Sequence, residues 1–367
     1  MRVLKFGGSS LASAERFLTV ANIIKEQSQT SQVAVVVSAP QGVTNHLVAM
    51  AENISDEDKL QTDLGHFKHA ISTILDDLSA TSADFNRQHC EQVLAHCENQ
   101  LSRYMQGANM LSFCPEHIRA RIISMGERLS VAILSSALAS KGEDVSELEP
   151  EKFLRTSDDW LNAVADLVLC KETFQDIYSK LNQISIMPGF IGVNSNEQVT
   201  TLGRNGSDYS AAVLAVCTQA ECCEIWTDVD GIYNADPRVI KDASLLDYLS
   251  YQEAMELSYF GASVLHPKTI GPIAQYHIPC LIKNTGNPAA PGTLIDNEND
   301  QQKRVKAISN LDDLTMVNVS GPGMKGMVGM ASRVFATMSR ENVSLVLISQ
   351  SSSEYCISFC IYSTDSQ

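Results

Sequence analysis

Residues 33–37, VAVVV, constrain the fold of this chain more than any other stretch. An almost wholly β-branched run of this kind is a strand buried on both faces. Ahead of it, residues 2–6 (RVLKF) read as a short strand, and Gly7-Gly8 breaks that strand. Ser9-Ser10 offer hydroxyls to cap a helix, and Phe17, Val20, Ala21 and Ile24 recur at helical spacing. Strand, glycine turn, helix and buried strand make a βαβ unit. Such a unit requires a mainly parallel sheet with helices packed on it.

The rest of the chain extends this α/β plan. Leu60, Leu64, Phe67, Ile71, Ile74 and Leu78 form one apolar stripe, and a second amphipathic segment covers about 84–106. Together they predict a helical hairpin inserted at about 56–112, with packing or dimer contact as its role. One helix is expected over 116–140, with Ile118, Ile122, Met125, Leu129 and Ile133 inward and Gly142 as its stop. Residues 184–193 and 223–227 read as buried strands, with a helix at about 208–220 between them. Residues 251–260 and 268–276 look helical, and 286–292 is a turn cluster. Residues 296–313 read as a linker.

Beyond the linker the pattern restarts. Strands are expected at 314–319, 343–349 and 354–361, around a helix at 327–340 with Val328, Val334, Phe335 and Met338 inward. Such a β-α-β-β half-sheet leaves an edge uncovered. The expectation is that the polypeptide belongs to a longer one or takes partner strands from another chain.

Composition excludes several classes. The 367 residues carry 27 basic and 43 acidic side chains, a net charge of -16. No dense Lys/Arg run supports nucleic-acid binding. No apolar run reaches the roughly 18–20 residues of a membrane span. No secretory signal precedes the first strand, so a cytoplasmic location is expected. The ten cysteines form no CxxC pair and read as reduced core residues.

Four constellations carry candidate chemistry. KFGGSS (5–10) lies where a strand meets a helix. Glycines there let a phosphate approach the backbone, and Lys5 adds a movable charge; alone, the turn is equally a tight bend. TLGRNGSD (201–208) is a second glycine-rich turn before a helix, and the planar fork of Arg204 suits a carboxylate or phosphate. In a doubly wound sheet both turns can face one crevice. TDVDGIYNADPR (227–238) is either a solvated turn or a nucleotide rim, with Tyr233 as an apolar wall and Arg238 on phosphate. Asp228 and Asp230, two apart, do not establish a metal site, and no protein-held metal is assigned. Glu127, beside Gly126, reads on pattern alone as a half-exposed glutamate paired with Arg128 or Arg121.

In this order, KFGGSS, SAPQGVTN (38–45), SMGERLS (124–130), TLGRNGSDYSAA (201–212), IWTDVDGIYNADPR (225–238) and FGASVLHP (260–267) resemble the aspartate kinase branch of the amino acid kinase family. The resemblance covers residues 1–295 and implies the three-layer αβα amino acid kinase fold. Residues 314–367 resemble part of an ACT regulatory module. ELSYFGA, LIKNTGNP and SGPGMKGMVGMA look most like the bifunctional form, in which a homoserine dehydrogenase domain comes next.

The resemblance implies roles. Lys5 would neutralise the transferred phosphoryl group and Asp208 would position Lys5. Ser38 and Thr44 would hydrogen-bond aspartate, Glu127 would hold its α-ammonium and Arg204 its α-carboxylate, with Ser207 lining the same turn. Gly7, Gly8, Ser9, Thr227, Asp228, Tyr233 and Arg238 would line the ATP site. Ser263 stands where the family usually has a nucleotide-contacting lysine, a position Lys268 could serve instead. ATP with Mg²⁺ is the implied cofactor, L-aspartate the partner, threonine the candidate effector and a homo-oligomer the assembly. Alternatives are another amino acid kinase, or an amino-acid-sensing domain with little catalysis. Aspartate's side chain, with a pKa near 3.9, is already ionised at pH 7. Transfer to it needs positioning and positive charge rather than a general base.

Overall fold

The computed structural model describes residues 1–179, 181–261, 265–297, 305–321, 327–351 and 356–366. The chain divides into two compact units, Met1–Ile308 and Ser309–Gln367.

The first unit opens with β1 (Arg2–Phe6), α1 (Ala14–Ser28), β2 (Val33–Val37) and α2 (Val43–Glu52). Two long helices come after these, α3 (Glu57–Thr81) and α4 (Arg87–Leu111), then α5 (Glu116–Ile123), α6 (Met125–Ala139) and β3 (Val145–Glu147). Next come α7 (Leu167–Tyr178), β4 (Ile184–Pro188), β5 (Ile191–Val193), β6 (Val199–Thr201), α8 (Gly206–Thr218) and β7 (Cys222–Thr227). The unit closes with β8 (Tyr248–Ser250), α9 (Tyr251–Tyr259), α10 (Pro267–Gln275), β9 (Cys280–Asn284) and β10 (Thr293–Asp296).

Among the described residues the main sheet has the order β3-β4-β2-β1-β7-β9-β10-β8. Every pairing in it is parallel except β9 with β10. β2 is buried along its whole length, as VAVVV requires. Alternate residues of β1 point to opposite layers. Leu4 and Phe6 join one core with α1, α3, α4 and α6, while Val3 joins the other with α7, α8, α9 and α10. β1 lies between β2 and β7, where the strand order turns from one direction to the other. Ligands of open α/β sheets bind beyond the carboxyl ends of the strands at such a point.

Local details differ from the sequence reading. α1 is capped by Ser13, which accepts the Arg16 N–H, rather than by Ser9-Ser10. Ser10 is buried instead, its hydroxyl 2.7 Å from that of Thr285. Residues 184–193 are two strands, because Phe190 adopts a left-handed φ of 70° between them. The helix expected over 116–140 is two, interrupted at Ser124. Together this pair is long and apolar enough to cross a bilayer by composition, yet 83% of its apolar window is buried, as in a core helix.

Gly126 explains the close packing beyond that interruption. A Cβ there would lie 2.6 Å from the Ala39 Cβ and 3.0 Å from Val43 Cγ1. The absent methyl lets α6 approach the loop leaving β2 and the start of α2.

The second unit consists of β11 (Leu314–Ser320), α11 (Met330–Arg340), β12 (Leu347–Gln350) and β13 (Cys356–Tyr362), in an antiparallel sheet ordered β11-β13-β12. Ile357, Phe359 and Ile361 form its buried face, against Val334, Phe335 and Met338 of α11. Val328, expected inward, is fully exposed, because the helix begins only at Met330. The strand expected from 343 begins at 347. Val343 still belongs to the turn closing α11, its N–H donating to Met338 O, with Asn342 at a φ of 57°.

Gly126→Ala tests the contact beside α6. Alanine gains about 1 kcal/mol of helix propensity over glycine. Overpacking against a backbone-held methyl costs about 1–3 kcal/mol. Net destabilisation is therefore expected in urea unfolding, and a variant at least as stable as wild type would show the gap to be slack.

Candidate active site

A cavity of about 630 Å³ opens beyond the carboxyl ends of β1 and β2. It is lined by Lys5, Gly8, Ser38, Thr44, Glu127, Arg204, Ser207 and Asp208, all named from the sequence, from segments far apart in the chain. Lys5 is carried by the central strand, in register with Val36 of β2 and Ile225 of β7. Its Nζ stands 2.5 Å from Asp208 Oδ1 in the first turn of α8, and both side chains are about nine-tenths buried. Removing one partner of a buried ion pair typically costs ~3–5 kcal/mol, because the other charge is stranded. Lys5 is thus held upright at the cavity floor rather than free to swing.

The start of α8 is itself suited to an anion. Asn205 at its N-cap has a left-handed φ of 56° and caps the helix with no side-chain hydrogen bond. Unused N–H groups and the helix dipole favour negative charge there. Arg204, just before it, is exposed, and among the described residues no carboxylate pairs with its guanidinium.

Glu127 departs most from its sequence reading. It is 3% exposed, and of its two expected partners Arg128 pairs instead with Glu151, while among the described residues Arg121 forms no ion pair with it. The Glu127 carboxyl accepts N–H groups of the backbone at Glu127 and Ala39, while Oε2 is buried with no partner among the described residues. Burial raises its pKa to about 7, against the smaller opposing pull of these hydrogen bonds and of Arg128. Buried carboxylates are ordinarily paired with a cation, and among the described residues Glu127 forms no ion pair.

Of the predicted nucleotide residues, Lys5 and Gly8 line this cavity, and the other described ones do not. Gly7 and Thr227 lie next to each other at the ends of β1 and β7, where the Gly7 N–H donates to Trp226 O, and Ser9 sits in the short turn after Gly7. The Thr227 hydroxyl donates to Asp228. Asp230 accepts from Asn284 and Asn287 at 2.7 and 3.2 Å. Tyr233 bridges to Leu245. Arg238 is 85% exposed on its side chain and is held by Asp236. Ser263 lies outside the described residues. The ammonium of Lys268, the candidate replacement, is bound to Asn162.

The structure adds residues the sequence reading omitted. Asn45, Phe190 and Asn205 line the cavity, and Ala39 contributes a backbone N–H. A backbone donor leaves no signature in residue type. His266 was legible, standing in FGASVLHP. Its Nδ1 accepts the Lys268 N–H, and burial first, then the charges of Lys268 and Arg204, lower its pKa.

The amino acid kinase family profile matches residues 1–284, and an ACT domain profile matches 317–367. The chain belongs to the amino acid kinase family. Within that family its similarity is to aspartokinases. It is 46% identical, over its whole length, to a bifunctional aspartokinase/homoserine dehydrogenase of Buchnera aphidicola, covering 45% of that protein. It is 31% identical to lysine-sensitive aspartokinase 3 of Escherichia coli, over 95% of this chain and 76% of that one. The crystal structure of E. coli aspartokinase III with aspartate and ADP superposes with a TM-score of 0.85 at 30% identity, over all of this chain and 79% of that one. The chain thus spans a little under half the length of the bifunctional relative.

The raised Glu127 pKa makes a stability prediction. Its folded value, about 7, exceeds the ordinary 4.5, so its contribution is fully present below about pH 4.5 and is lost as pH rises through 7. Glu127→Gln removes this loss. Its Tm relative to wild type should therefore be higher at pH 8 than at pH 5; a difference that does not vary with pH would mean that Glu127 is ionised at little cost.

Proposed function

We propose that the first unit is an aspartate kinase, transferring the γ-phosphoryl group of ATP to the side-chain carboxylate of L-aspartate. The observation that carries this reading is the buried Glu127 Oε2, without a hydrogen-bond partner among the described residues, in one cavity with the Arg204 guanidinium and the Lys5–Asp208 pair. An α-amino acid brings one ammonium and one carboxylate on the same carbon. Glu127 takes the first and the Arg204 fork the second. Ser38 and Thr44 hydrogen-bond the acceptor, and Ser207 lines the turn beside it.

In the reaction a side-chain oxygen of aspartate forms a bond to the γ-phosphorus. The bond from that phosphorus to the oxygen bridging to the β-phosphate breaks, and ADP leaves with the electron pair. No proton needs removing, so the acceptor requires no general base. Lys5, oriented by Asp208, neutralises charge on the transferring group. The nucleotide, entering with Mg²⁺, lies along Gly7, Gly8, Ser9 and the 227–238 rim, where Thr227, Asp228, Tyr233 and Arg238 contact it. On this reading Arg238 leaves Asp236 for phosphate, and position 263 carries a serine in the nucleotide site. The 4-phospho-L-aspartate formed would open the route to lysine, threonine and methionine, in the cytoplasm. The ACT-like unit, with Leu347 and Ile348 of β12 half exposed, supports assembly as a homo-oligomer, with threonine the first effector to test.

Hydroxamate trapping of the acyl phosphate tests the activity. Product is expected with aspartate, ATP and Mg²⁺ and not with glutamate or acetylglutamate, and coupled ADP release should show no transfer to UMP. The same assay with threonine tests the effector. Binding of an amino acid with no trapped product would replace the kinase reading with that of a sensor. Lys5→Met is expected to lose at least a thousandfold in kcat while part of the aspartate binding survives. Because that change strands Asp208, Lys5→Met/Asp208→Asn serves as the folded control. Glu127→Gln is expected to raise the KM for aspartate at least thirtyfold, consistent with ~2–4 kcal/mol for a charged hydrogen-bond partner lost. An unchanged KM would return Glu127 to a structural role.

A further inference from the structure

Outside the cavity, two imidazoles and a carboxylate meet across the seam between α2 and α3. His46 lies on α2; Asp63 and His66, three apart and so on one helix face, lie on α3. Their ligand atoms all fall within 4.8 Å of one another. His46 Nδ1 is 3.2 Å from Asp63 Oδ1, and the two histidine rings are tilted, with centroids 5.3 Å apart. Among the described residues no lysine or arginine pairs with Asp63; its charge is met only by His46.

We infer that His46, Asp63 and His66 form a site for a divalent transition-metal ion of the zinc class. Donor chemistry selects the ion. Two imidazoles and one carboxylate suit Zn²⁺, Co²⁺ or Ni²⁺, whereas Mg²⁺ and Ca²⁺ prefer all-oxygen sets. Metal–ligand bonds of 2.0–2.1 Å in a tetrahedron place ligand atoms about 3.3 Å apart. The His46–Asp63 pair already has that separation. The exposed His66 closes the remaining distance by side-chain rotation and leaves a fourth position to water. On binding, His46 ligates through Nδ1 as a neutral ring with its N–H on Nε2, and any proton displaced from Nδ1 passes to solvent.

The position gives the site a consequence. His46 directly follows Thr44 and Asn45, which line the cavity at the start of α2. A metal held there clamps the first turn of α2 to α3.

The test uses the full 367-residue chain after chelator treatment. Titration with Zn²⁺ in a calorimeter should show one strong equivalent per chain and a rise of several degrees in Tm. Co²⁺ should give visible d–d bands without the near-ultraviolet charge-transfer band of a thiolate, which separates this site from the ten cysteines. His66→Ala, at an exposed position, and His46→Ala should each weaken Zn²⁺ binding at least tenfold and abolish the rise in Tm. His89→Ala, at a helix position outside the cluster, should change neither. A wild-type chain that binds no Zn²⁺, a thiolate band with Co²⁺, or undiminished affinity in His66→Ala would each overturn the site. In the last two cases the histidines and Asp63 are only a hydrogen-bonded surface cluster.

Discussion

The buried ion pair between Lys5 and Asp208 is the constraint around which the rest of this site is built. A lysine on the central strand of a sheet buried on both faces is tolerated only at the strand's end and only opposite an anion. Asp208 can supply that anion because it lies in the first turn of α8, where the helix dipole favours negative charge. Satisfying Lys5 therefore fixes where α8 begins relative to β1. It also brings the 203–208 turn, with Arg204 and Ser207, over the end of the sheet. A misplaced α8 would strand two charges at once, so the geometry of one wall of the cavity is tied to the stability of the unit.

The opposite wall obeys a steric rather than an electrostatic rule. Gly126 allows α6 to touch the loop after β2, so that Ala39 can donate its N–H to Glu127. Two hydrogen bonds do not offset the desolvation of that carboxylate, and its pKa rises to about 7. The site is thus left with a charge deficit in the absence of substrate. On the reading proposed above, an amino acid's ammonium would fill it, and specificity and binding energy would come from the same residue. The positively charged wall is preorganised by its partner; the negative one is preorganised by the lack of one.

Much of this was legible in the chain. The βαβ opening, the parallel sheet, the two long helices after α2 and the second unit's β-α-β-β order all arise from periodicity in windows of five to twenty-five residues. Lys5 and Arg204 stood out by their place in two glycine turns between strands and helices, each weak alone, and the role of Asp208 came only from the resemblance. On pattern alone Glu127 read as a partly exposed glutamate with a local partner. Its neighbour Arg128 offered an obvious local partner, and only the packing of 149–152 against α6 shows Glu151 taking that arginine away. The nucleotide rim was legible as composition, but exposed side chains such as Arg238 adopt local pairings that composition does not specify. Asp63 and His66 are visible as an i, i+3 pair; His46 is not visible as their neighbour, because it comes from another helix.

The sequence by itself determined which segments are strands and helices, which faces of them are buried, and which residue types stand at the turns, because those properties depend on short-range backbone sterics and hydrophobic spacing. Tertiary structure alone decided that Lys5 meets Asp208, that Glu127 loses Arg128 and keeps an empty oxygen, and that His46 faces Asp63 and His66. Charges and donors act over a few ångströms of space, and the residues that occupy that space lie tens to hundreds of positions apart along the chain.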